Sequence, residues 1–262
     1  MPQVSVTVIT RNEESNIARA LESVAWADDV VVVDCGSTDN TVAIARRYTE
    51  RVFVRDWPGY SAQKNHAATL ALHDWILSLD ADERVTPDLA GEIRALLATE
   101  PGARGYRIPR VTWHLGRWIR STDWYPDYQL RLYDRRAGSW VARHVHESVR
   151  IDGQPGTLRH ELEHYAYRDL AEHFETLARY TDLAARQMRD EGRRATFAGL
   201  ACHPPLAFLR NYVLKGGVRD GTAGLIVSSL NAYYVFLKLA KLWELQRSEP
   251  PVPSPQSPKG TP

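Results

Sequence analysis

The sequence contains little cysteine and has almost no net charge. Its two cysteines, Cys35 and Cys202, lie far apart in the 262-residue chain and form no Cys-x-x-Cys pair. This pattern excludes a disulfide-rich scaffold and indicates reduced thiols in a cytoplasmic protein. Basic and acidic side chains nearly balance, with a formal net charge of +1, so no global field favours nucleic acid as a partner.

Several common sequence signals are also missing. The N-terminal segment has no basic region followed by a long apolar run, so we expect no secretory signal. No Gly-x-Gly-x-x-Gly loop follows the first apolar run, and the chain has no Gly-x-x-x-x-Gly-Lys-Ser/Thr loop. These absences disfavour a dinucleotide-binding fold and a P-loop NTPase. The remaining composition, 44% hydrophobic and 25% charged, is typical of a soluble protein with a sizeable core.

The first hundred residues alternate between short apolar runs and helical segments. The predicted strands cover residues 4–9, 29–34, 51–54 and 75–79, and the predicted helices cover residues 16–24, 41–48, 61–72 and 87–99. This alternation predicts βαβ units and a parallel sheet, hence an α/β fold. Beyond residue 105 the pattern indicates mixed or antiparallel strands, and a further helix is predicted over residues 166–188.

The most informative motif is the acidic segment Asp80–Glu83, which directly follows the apolar run 75–79. In a strand the first and third residues point to the same face, so Asp80 and Asp82 would lie side by side. Two adjacent carboxylates need a compensating cation or hydrogen-bond network. We interpret them as oxygen ligands for a divalent metal that in turn holds phosphate.

Polar residues also follow the first two predicted strands. They occupy residues 10–14 and 34–39, and the carboxyl ends of parallel strands form the usual ligand-binding edge of such a sheet. The three segments together predict a site for a phosphate-bearing nucleotide.

These motifs, in this order, resemble the family-2 glycosyltransferases. The similarity rests on the three segments 6–14, 33–41 and 79–83 and extends over about residues 4–150. It implies the GT-A fold, a Rossmann-like nucleotide-binding mixed sheet flanked by helices, here with a C-terminal helical extension. It also implies inverting, Mg²⁺- or Mn²⁺-dependent sugar transfer from a nucleoside diphosphate.

Within that family, the chain is similar to lipopolysaccharide inner-core β-1,4-glucosyltransferases. The shared features are the segment 57–65, a Trp-rich middle, Val-His-Glu at 145–147, and Gly221. This narrower resemblance implies UDP-glucose as donor and a lipid-linked saccharide as acceptor, with no required protein partner. Aromatic side chains of the middle segment, Trp118, Trp124 and Tyr125, suit a sugar acceptor or, equally, packing of a hairpin.

The resemblance also assigns roles to individual residues. It implies that Thr10, Arg11, Glu13, Asp34, Lys64 and Asp80 belong to the nucleotide-sugar site and that Asp80 and Asp82 lie at the metal. To these we add Arg131 in the nucleotide-sugar site, His164 as a metal ligand, and Glu147, Asp82 and His146 as the catalytic residues. We predict that Glu147 is the general base, with His146 as the alternative. Each of three residues has a competing interpretation. Glu147 could be an exposed loop residue, Arg131 a surface residue of a strand, and His164 a structural histidine.

Two other function classes compete with a transferase. The segment 160–164 reads His-Glu-x-x-His, which on a helix would bind zinc for hydrolysis. Nearby glycine and proline, and the alternation of residues 157–162, favour a strand instead. The second alternative is a sugar-nucleotide or glycan-binding protein without turnover, which the intact Asp-x-Asp motif disfavours.

The C-terminal region carries a different signal. Residues 203–247 contain six basic and two acidic side chains among many aromatic ones, and polar interruptions disfavour a spanning helix in residues 225–243. We expect a helix that lies on the inner face of the cytoplasmic membrane. The alternatives are a helix that covers the catalytic domain and a helix that forms a dimer interface. The predicted division is a catalytic domain 1–165, a helical region 166–247 and a disordered proline-rich tail 248–262.

Overall fold

A computed structural model describes residues 3–141 and 147–247 of the chain. The strands of its main sheet are β1 (Val4–Thr10), β2 (Asp29–Asp34), β3 (Val52–Val54), β4 (Trp75–Asp80), β5 (Glu83–Val85), β6 (Gly105–His114), β7 (Arg117–Ile119), β8 (Asp127–Asp134), β11 (Gly156–Thr157) and β12 (Leu162–His164). A separate hairpin pairs β9 (Gly138–Val141) with β10 (Ser148–Ile151). The proline-rich tail lies outside the described residues.

The main sheet is mixed. Its strand order is β3-β2-β1-β4-β8-β6-β12-β5, with β7 and β11 also paired to β6. The β3–β2–β1–β4 half is parallel, and β8 pairs antiparallel with both β4 and β6. Every residue of β1 is buried, because a central parallel strand is covered by helices on both faces. The predicted α/β fold with a mixed sheet is therefore confirmed.

Four helices surround the parallel half. They are α1 (Ile17–Glu22), α2 (Thr41–Ala45), α3 (Tyr60–Leu70) and α4 (Pro87–Ala98). The last of these begins where the sequence predicts, because the Thr86 hydroxyl accepts from the Leu89 backbone N–H and proline occupies the first turn. The first two are shorter than predicted.

Three further helices form the C-terminal region. They are α5 (Leu170–Asp190), α6 (Phe197–Leu209) and α7 (Gly221–Arg247), and a short π-helical segment, Arg210–Leu214, extends α6. The prediction that α5 begins at residue 166 was wrong by four residues. Its start is fixed by Asp169, whose side chain accepts a hydrogen bond from the Glu172 backbone N–H.

The last helical stretch has a composition that also occurs in membrane-spanning helices. By length and hydropathy, Gly217–Arg247 is long and apolar enough to cross a membrane, and 33% of its most apolar window is buried inside the protein. Core helices of soluble proteins meet the same criterion, and α7 packs along α5 and α6. The sequence-based preference for a helix that does not span therefore stays a prediction.

Candidate active site

The carboxyl ends of three parallel strands meet at one edge of the sheet, and we name the surface that residues 10–14, 34–39 and 80–83 form there the cleft. Thr10, the last residue of β1, pairs with Asp34 of β2, and Ile9 pairs with Asp80 of β4. The register therefore places Asp34 and Asp80 on either side of the end of β1, as the sequence predicts. Thr10 is buried, and within the described residues its hydroxyl has no hydrogen-bond partner.

Asp34 holds a turn together rather than pointing freely into the cleft. Its Oδ2 atom accepts from the backbone N–H groups of Gly36 and Ser37, both at 2.8 Å. The preceding loop joins the same turn, since the Asn12 backbone N–H donates to Ser37 Oγ at 2.8 Å. Arg11, beside it, is exposed. The two loops are thereby fixed to each other next to the predicted nucleotide site.

Asp80 is bound by two cationic side chains. Lys64 Nζ lies 2.9 Å from Asp80 Oδ1, and the Arg131 guanidinium lies 2.5 Å from Asp80 Oδ2. Burial raises the pKa of Asp80, but Arg131 and then Lys64 outweigh it and hold that pKa far below its usual value. The structure thus brings together three of the residues predicted for the nucleotide-sugar site, and Arg131 is buried rather than on the surface.

A buried carboxylate extends this network. Glu83 is fully buried, and its Oε1 atom contacts Arg131 at 2.5 Å and Arg110 at 3.0 Å. Its Oε2 atom accepts from the Asp80 backbone N–H at 3.0 Å. Arg110 in turn binds Asp127 at 2.6 Å. The result is a network of alternating positive and negative side chains that holds the end of β4 in place.

Glu147 lies next to the same lysine. Its Oε1 atom is 3.5 Å from Lys64 Nζ, and its side chain is half-buried rather than fully exposed. Lys64 also lies over the Trp140 ring, 4.2 Å from its centroid. The alternative base, His146, lies outside the described residues. Glu147 is therefore positioned at the cleft, and its role as base stays a prediction.

Asp82 faces a histidine, whereas Asp80 faces Lys64 and Arg131. His164 Nε2 is 3.3 Å from Asp82 Oδ2, and its Nδ1 atom lies 3.3 Å from Thr112 Oγ1. Both side chains are partly exposed, so a carboxylate oxygen and an imidazole nitrogen are available to a cation. Across residues 3–141 and 147–247, no three histidine, cysteine or acidic side chains are grouped as ligands of one metal. The predicted set with Asp80 stays a prediction.

Glu13 is the second perturbed carboxyl of the cleft. Burial chiefly raises its pKa to about 7, with a hydrogen bond from Asn16 acting against this and the charges of Asp82 and Glu172 adding to it. Asn16 Nδ2 donates to Glu13 Oε2 at 2.9 Å. Asp82 and Glu172 therefore lie within electrostatic range of Glu13, and the start of α5 borders the cleft.

The His-Glu-x-x-His segment does not form a zinc site. His160 precedes β12 and its backbone N–H donates to Glu92, whereas His164 is the last residue of that strand. Glu161 is bound by Arg120 and by Tyr125 Oη, the latter at 2.6 Å. Only a helix would bring the two imidazoles close enough for one zinc, because residues four apart in an extended segment lie too far from each other. The zinc-hydrolase alternative is therefore wrong.

The three aromatic side chains predicted for the acceptor have different neighbours. The Trp118 ring contacts Tyr165, with centroids 5.4 Å apart, and Tyr125 binds Glu161. Trp124 packs against His173 and Tyr167 instead, at 5.5 and 6.0 Å. An acceptor role stays a prediction for all three, and the rings around Trp124 also connect α5 to the segment before β8.

Comparison with known proteins agrees with this geometry. The model of glycosyl transferase family 2 matches residues 5–151, which is more than half of the chain. The chain belongs to glycosyl transferase family 2. This family-2 glycosyltransferase is 31% identical over 248 residues to the lipopolysaccharide core biosynthesis glycosyltransferase LpsC of Rhizobium meliloti, with 92% of each chain covered. It is also 31% identical over 258 residues to the uncharacterized glycosyltransferase RT0209 of Rickettsia typhi, covering 94% of this chain and 88% of that protein.

A solved structure shares the fold of this family-2 glycosyltransferase over almost its whole length. The mannosyltransferase PcManGT from Pyrobaculum calidifontis, in complex with GDP-Man and Mn²⁺, aligns with a TM-score of 0.54 and 16% identity. The alignment covers 95% of this chain and 88% of that one. The predicted GT-A fold is confirmed.

Sequence reasoning missed part of the charged network of this family-2 glycosyltransferase. Glu83, Arg110 and Asp127 were assigned no role, although Glu83 belongs to the acidic motif itself. A signal was present, because Arg110 and Arg131 both interrupt apolar strands of the central sheet. Arginine in such a position needs an acidic partner, and Glu83, in the acidic motif itself, was a candidate.

Proposed function

We propose that this enzyme transfers a hexose, glucose, from UDP-glucose to a lipid-linked glycan such as a lipopolysaccharide core, inverting the anomeric centre. The observation that carries the proposal is the cluster of Lys64, Arg131, Asp80 and Glu147 at the end of β4. The relationship to LpsC over 92% of both chains supports the choice of acceptor class.

In the proposed reaction Glu147 acts as the general base. The acceptor hydroxyl gives its proton to the Glu147 carboxylate, and its oxygen bonds to the anomeric carbon as the bond to the diphosphate breaks. Lys64, 3.5 Å from Glu147, keeps that carboxylate at the cleft. A positioned base of this kind contributes about 10²–10⁴-fold in rate.

The leaving diphosphate gathers negative charge, which cationic groups must offset. Lys64 and Arg131 supply two positive charges beside Asp80. Asp82 and His164 would hold Mg²⁺ or Mn²⁺, since such ions commonly use one or two protein ligands together with substrate phosphates. When bound, the ion would neutralise charge on the diphosphate.

The donor and the metal can be tested first by thermal shift. We expect UDP-glucose with Mn²⁺ to raise the melting temperature more than other nucleotide sugars, and Asp82→Ala to abolish the metal-dependent part. A larger shift with GDP-mannose would mean that GDP-mannose, and not UDP-glucose, is the donor. If Asp82→Ala responds to the metal as the wild type does, Asp82 is not a ligand.

The chemical step is tested separately. Glu147→Gln should bind the donor normally and lose about 10²–10⁴-fold in transfer to a core oligosaccharide acceptor. The matched control is Glu50→Gln, an exposed position remote from the acidic motif in sequence. Full transfer by Glu147→Gln would remove Glu147 as base, and absence of turnover in the wild type with every donor would support a binding protein.

We also propose that the enzyme acts as a peripheral protein at the inner face of the cytoplasmic membrane. A lipid-linked acceptor is confined to that surface, so attachment would bring the cleft to its substrate. The large exposed apolar side chains of α6 support this location.

A further inference from the structure

A groove lies between the end of α5, the helix α6 and the middle of α7. Its volume is about 650 Å³, and apolar side chains of all three helices contribute to its lining. Its basic lining residues are Arg193, Arg194, His203, Arg210 and Lys238. No acidic side chain of the described segments lines it. The groove therefore combines apolar lining with basic side chains of one charge sign.

Part of this positive charge is not neutralised by the protein. Among the described residues neither Arg194 nor Lys238 forms an ion pair, and Lys238 Nζ lies only over the Tyr234 ring, 5.1 Å from its centroid. Burial, and then the neighbouring charge of Arg193, lower the pKa of Lys238. Arg193 pairs with Glu191 at 3.1 Å, and Arg210 with Asp123 at 2.5 Å. An anion bound between Arg194 and Lys238 would neutralise the positive charge that the protein leaves uncompensated.

The helix beside the groove exposes apolar surface in an unusual amount. None of the 13 residues of α6 is buried, although the helix contains no acidic or basic side chain apart from His203. Phe197 at its start is 85% exposed, and Leu214, in the π-helical segment that follows it, is 81% exposed. A helix on a soluble protein normally buries an apolar stripe. Here no apolar side chain of α6 is buried by the described residues, so its apolar surface is available to another apolar phase.

The charge decides which phase that is. A second copy of the chain would bring two sets of basic side chains together, and like charges disfavour such an interface. An anionic lipid surface complements these basic side chains and accepts the apolar side chains at the same time. We propose that the groove between α5, α6 and α7 binds the phosphate headgroup of an anionic membrane lipid while Phe197 and Leu214 enter the acyl region. The inference rests on the proposed membrane location.

Vesicle co-sedimentation of the full chain tests the proposal. One set of vesicles is pure phosphatidylcholine, and the other is equal parts phosphatidylcholine and phosphatidylglycerol. The wild type should prefer the anionic set, and Arg194→Gln with Lys238→Gln should lower its partition coefficient about 25-fold, since each basic group near such a surface contributes about fivefold. The control, Arg46→Gln with Arg47→Gln, removes the same charge at exposed residues after α2 and should change it less than about twofold.

The apolar contribution is tested by Phe197→Ser with Leu214→Ser, two exposed positions where folding loses little. This variant should bind both vesicle sets more weakly while keeping the preference for the anionic set. Equal loss in the groove variant and its control would overturn the groove as the lipid site and leave membrane attachment intact. Sedimentation of the wild type with neither set, or a dimer that Phe197→Ser with Leu214→Ser dissociates, would overturn both proposals without affecting sugar transfer.

Discussion

The buried Lys64 forms an ion pair with the partly exposed Asp80 at the end of the central strand β4. The Lys64 ammonium lies 2.9 Å from Asp80 Oδ1, and the lysine side chain is only 2% exposed. Lysine is rarely buried to this extent unless it is paired. Because Glu147 lies 3.5 Å from the same ammonium, Lys64 connects the acidic motif to the candidate base. A buried charge with two partners at a cleft is an expected feature of a catalytic site.

We expect Lys64→Met to impair both function and folding. The change leaves Asp80 with Arg131 alone and Glu147 without its cation, so the free energy of unfolding should fall by about 3 kcal/mol. Loss of one positive charge beside the leaving diphosphate should lower the rate of donor hydrolysis by about 10²-fold. Urea unfolding and a UDP-release assay measure the two effects. Lys64→Arg keeps the charge and should recover part of each, and wild-type hydrolysis by Lys64→Met would contradict the assignment.

Glu83→Gln should destabilise the protein more than most substitutions of one acid. Glu83 is fully buried between Arg110 and Arg131, and the amide would leave both guanidinium groups under-compensated. We expect a loss of about 3–5 kcal/mol in the free energy of unfolding, measured by urea titration. Glu50→Gln, at an exposed position, should change it by less than about 0.5 kcal/mol. Similar values for the two variants would mean that the network contributes little to stability.

The parallel half of the fold was readable from the sequence, and the charged network was only partly so. The apolar runs ending at Thr10, Asp34 and Asp80 fix which residues reach the sheet edge, because parallel strands align their carboxyl ends. The partners of Asp80 come from α3 and β8, which are distant in sequence. Pattern and spacing carry no information on which distant side chains meet, so the pairing with Lys64 and Arg131 appears only in the folded chain.

The sequence also could not say which of the two aspartates is held by cations. The prediction placed Asp80 and Asp82 on one strand face, but β4 ends at Asp80 and Asp82 lies in the turn before β5. The turn directs Asp82 toward His164, while Asp80 is held by two cations. Turn geometry of this kind depends on β12 pairing beside β5, a contact between residues about eighty positions apart.

Glu13 should make stability fall as the pH rises toward neutrality. Its pKa is about 7 in the folded chain against 4.5 for the free side chain, so the folded state favours the protonated carboxyl. This contribution is complete below pH 4.5 and is lost as the pH rises through 7, to a total of up to about 3 kcal/mol. Urea unfolding of Glu13→Gln between pH 5 and 8 should lack this decline. Parallel profiles for variant and wild type would contradict the perturbed pKa.

His173 should have the opposite pH dependence. Burial, and then the neighbouring His114, lower its pKa from 6.5 to about 4, and its Nδ1 atom lies 3.2 Å from His114 Nε2. The folded state favours the neutral ring, so this contribution is present above pH 6.5 and is lost as the pH falls through 4, by about 3 kcal/mol. His173→Phe keeps a ring against Tyr167 and should flatten the acid side of the stability profile. An unchanged acid transition would contradict this.

Asp220 connects the C-terminal helical region to residues 117–121 of the sheet domain. Its Oδ2 atom accepts from Ser121 Oγ at 2.5 Å and from the Arg120 backbone N–H at 3.0 Å, and its Oδ1 atom binds Arg117 at 3.1 Å. The segment it holds carries Trp118, one of the acceptor candidates. Asp220→Asn should therefore raise the KM for the glycan acceptor more than the KM for the donor, because the segment loosens while the end of β4 is untouched.

The same variant should lower the free energy of unfolding by about 2 kcal/mol, since a buried carboxylate with three partners loses charge-assisted bonds. Asp190→Asn, at the exposed end of α5, is the matched control and should alter neither KM. Steady-state kinetics with each substrate varied in turn separates the two constants. An equal rise in both KM values would mean that Asp220 acts through the stability of the whole fold. An unchanged acceptor KM would mean that the segment around Trp118 is not part of the acceptor site.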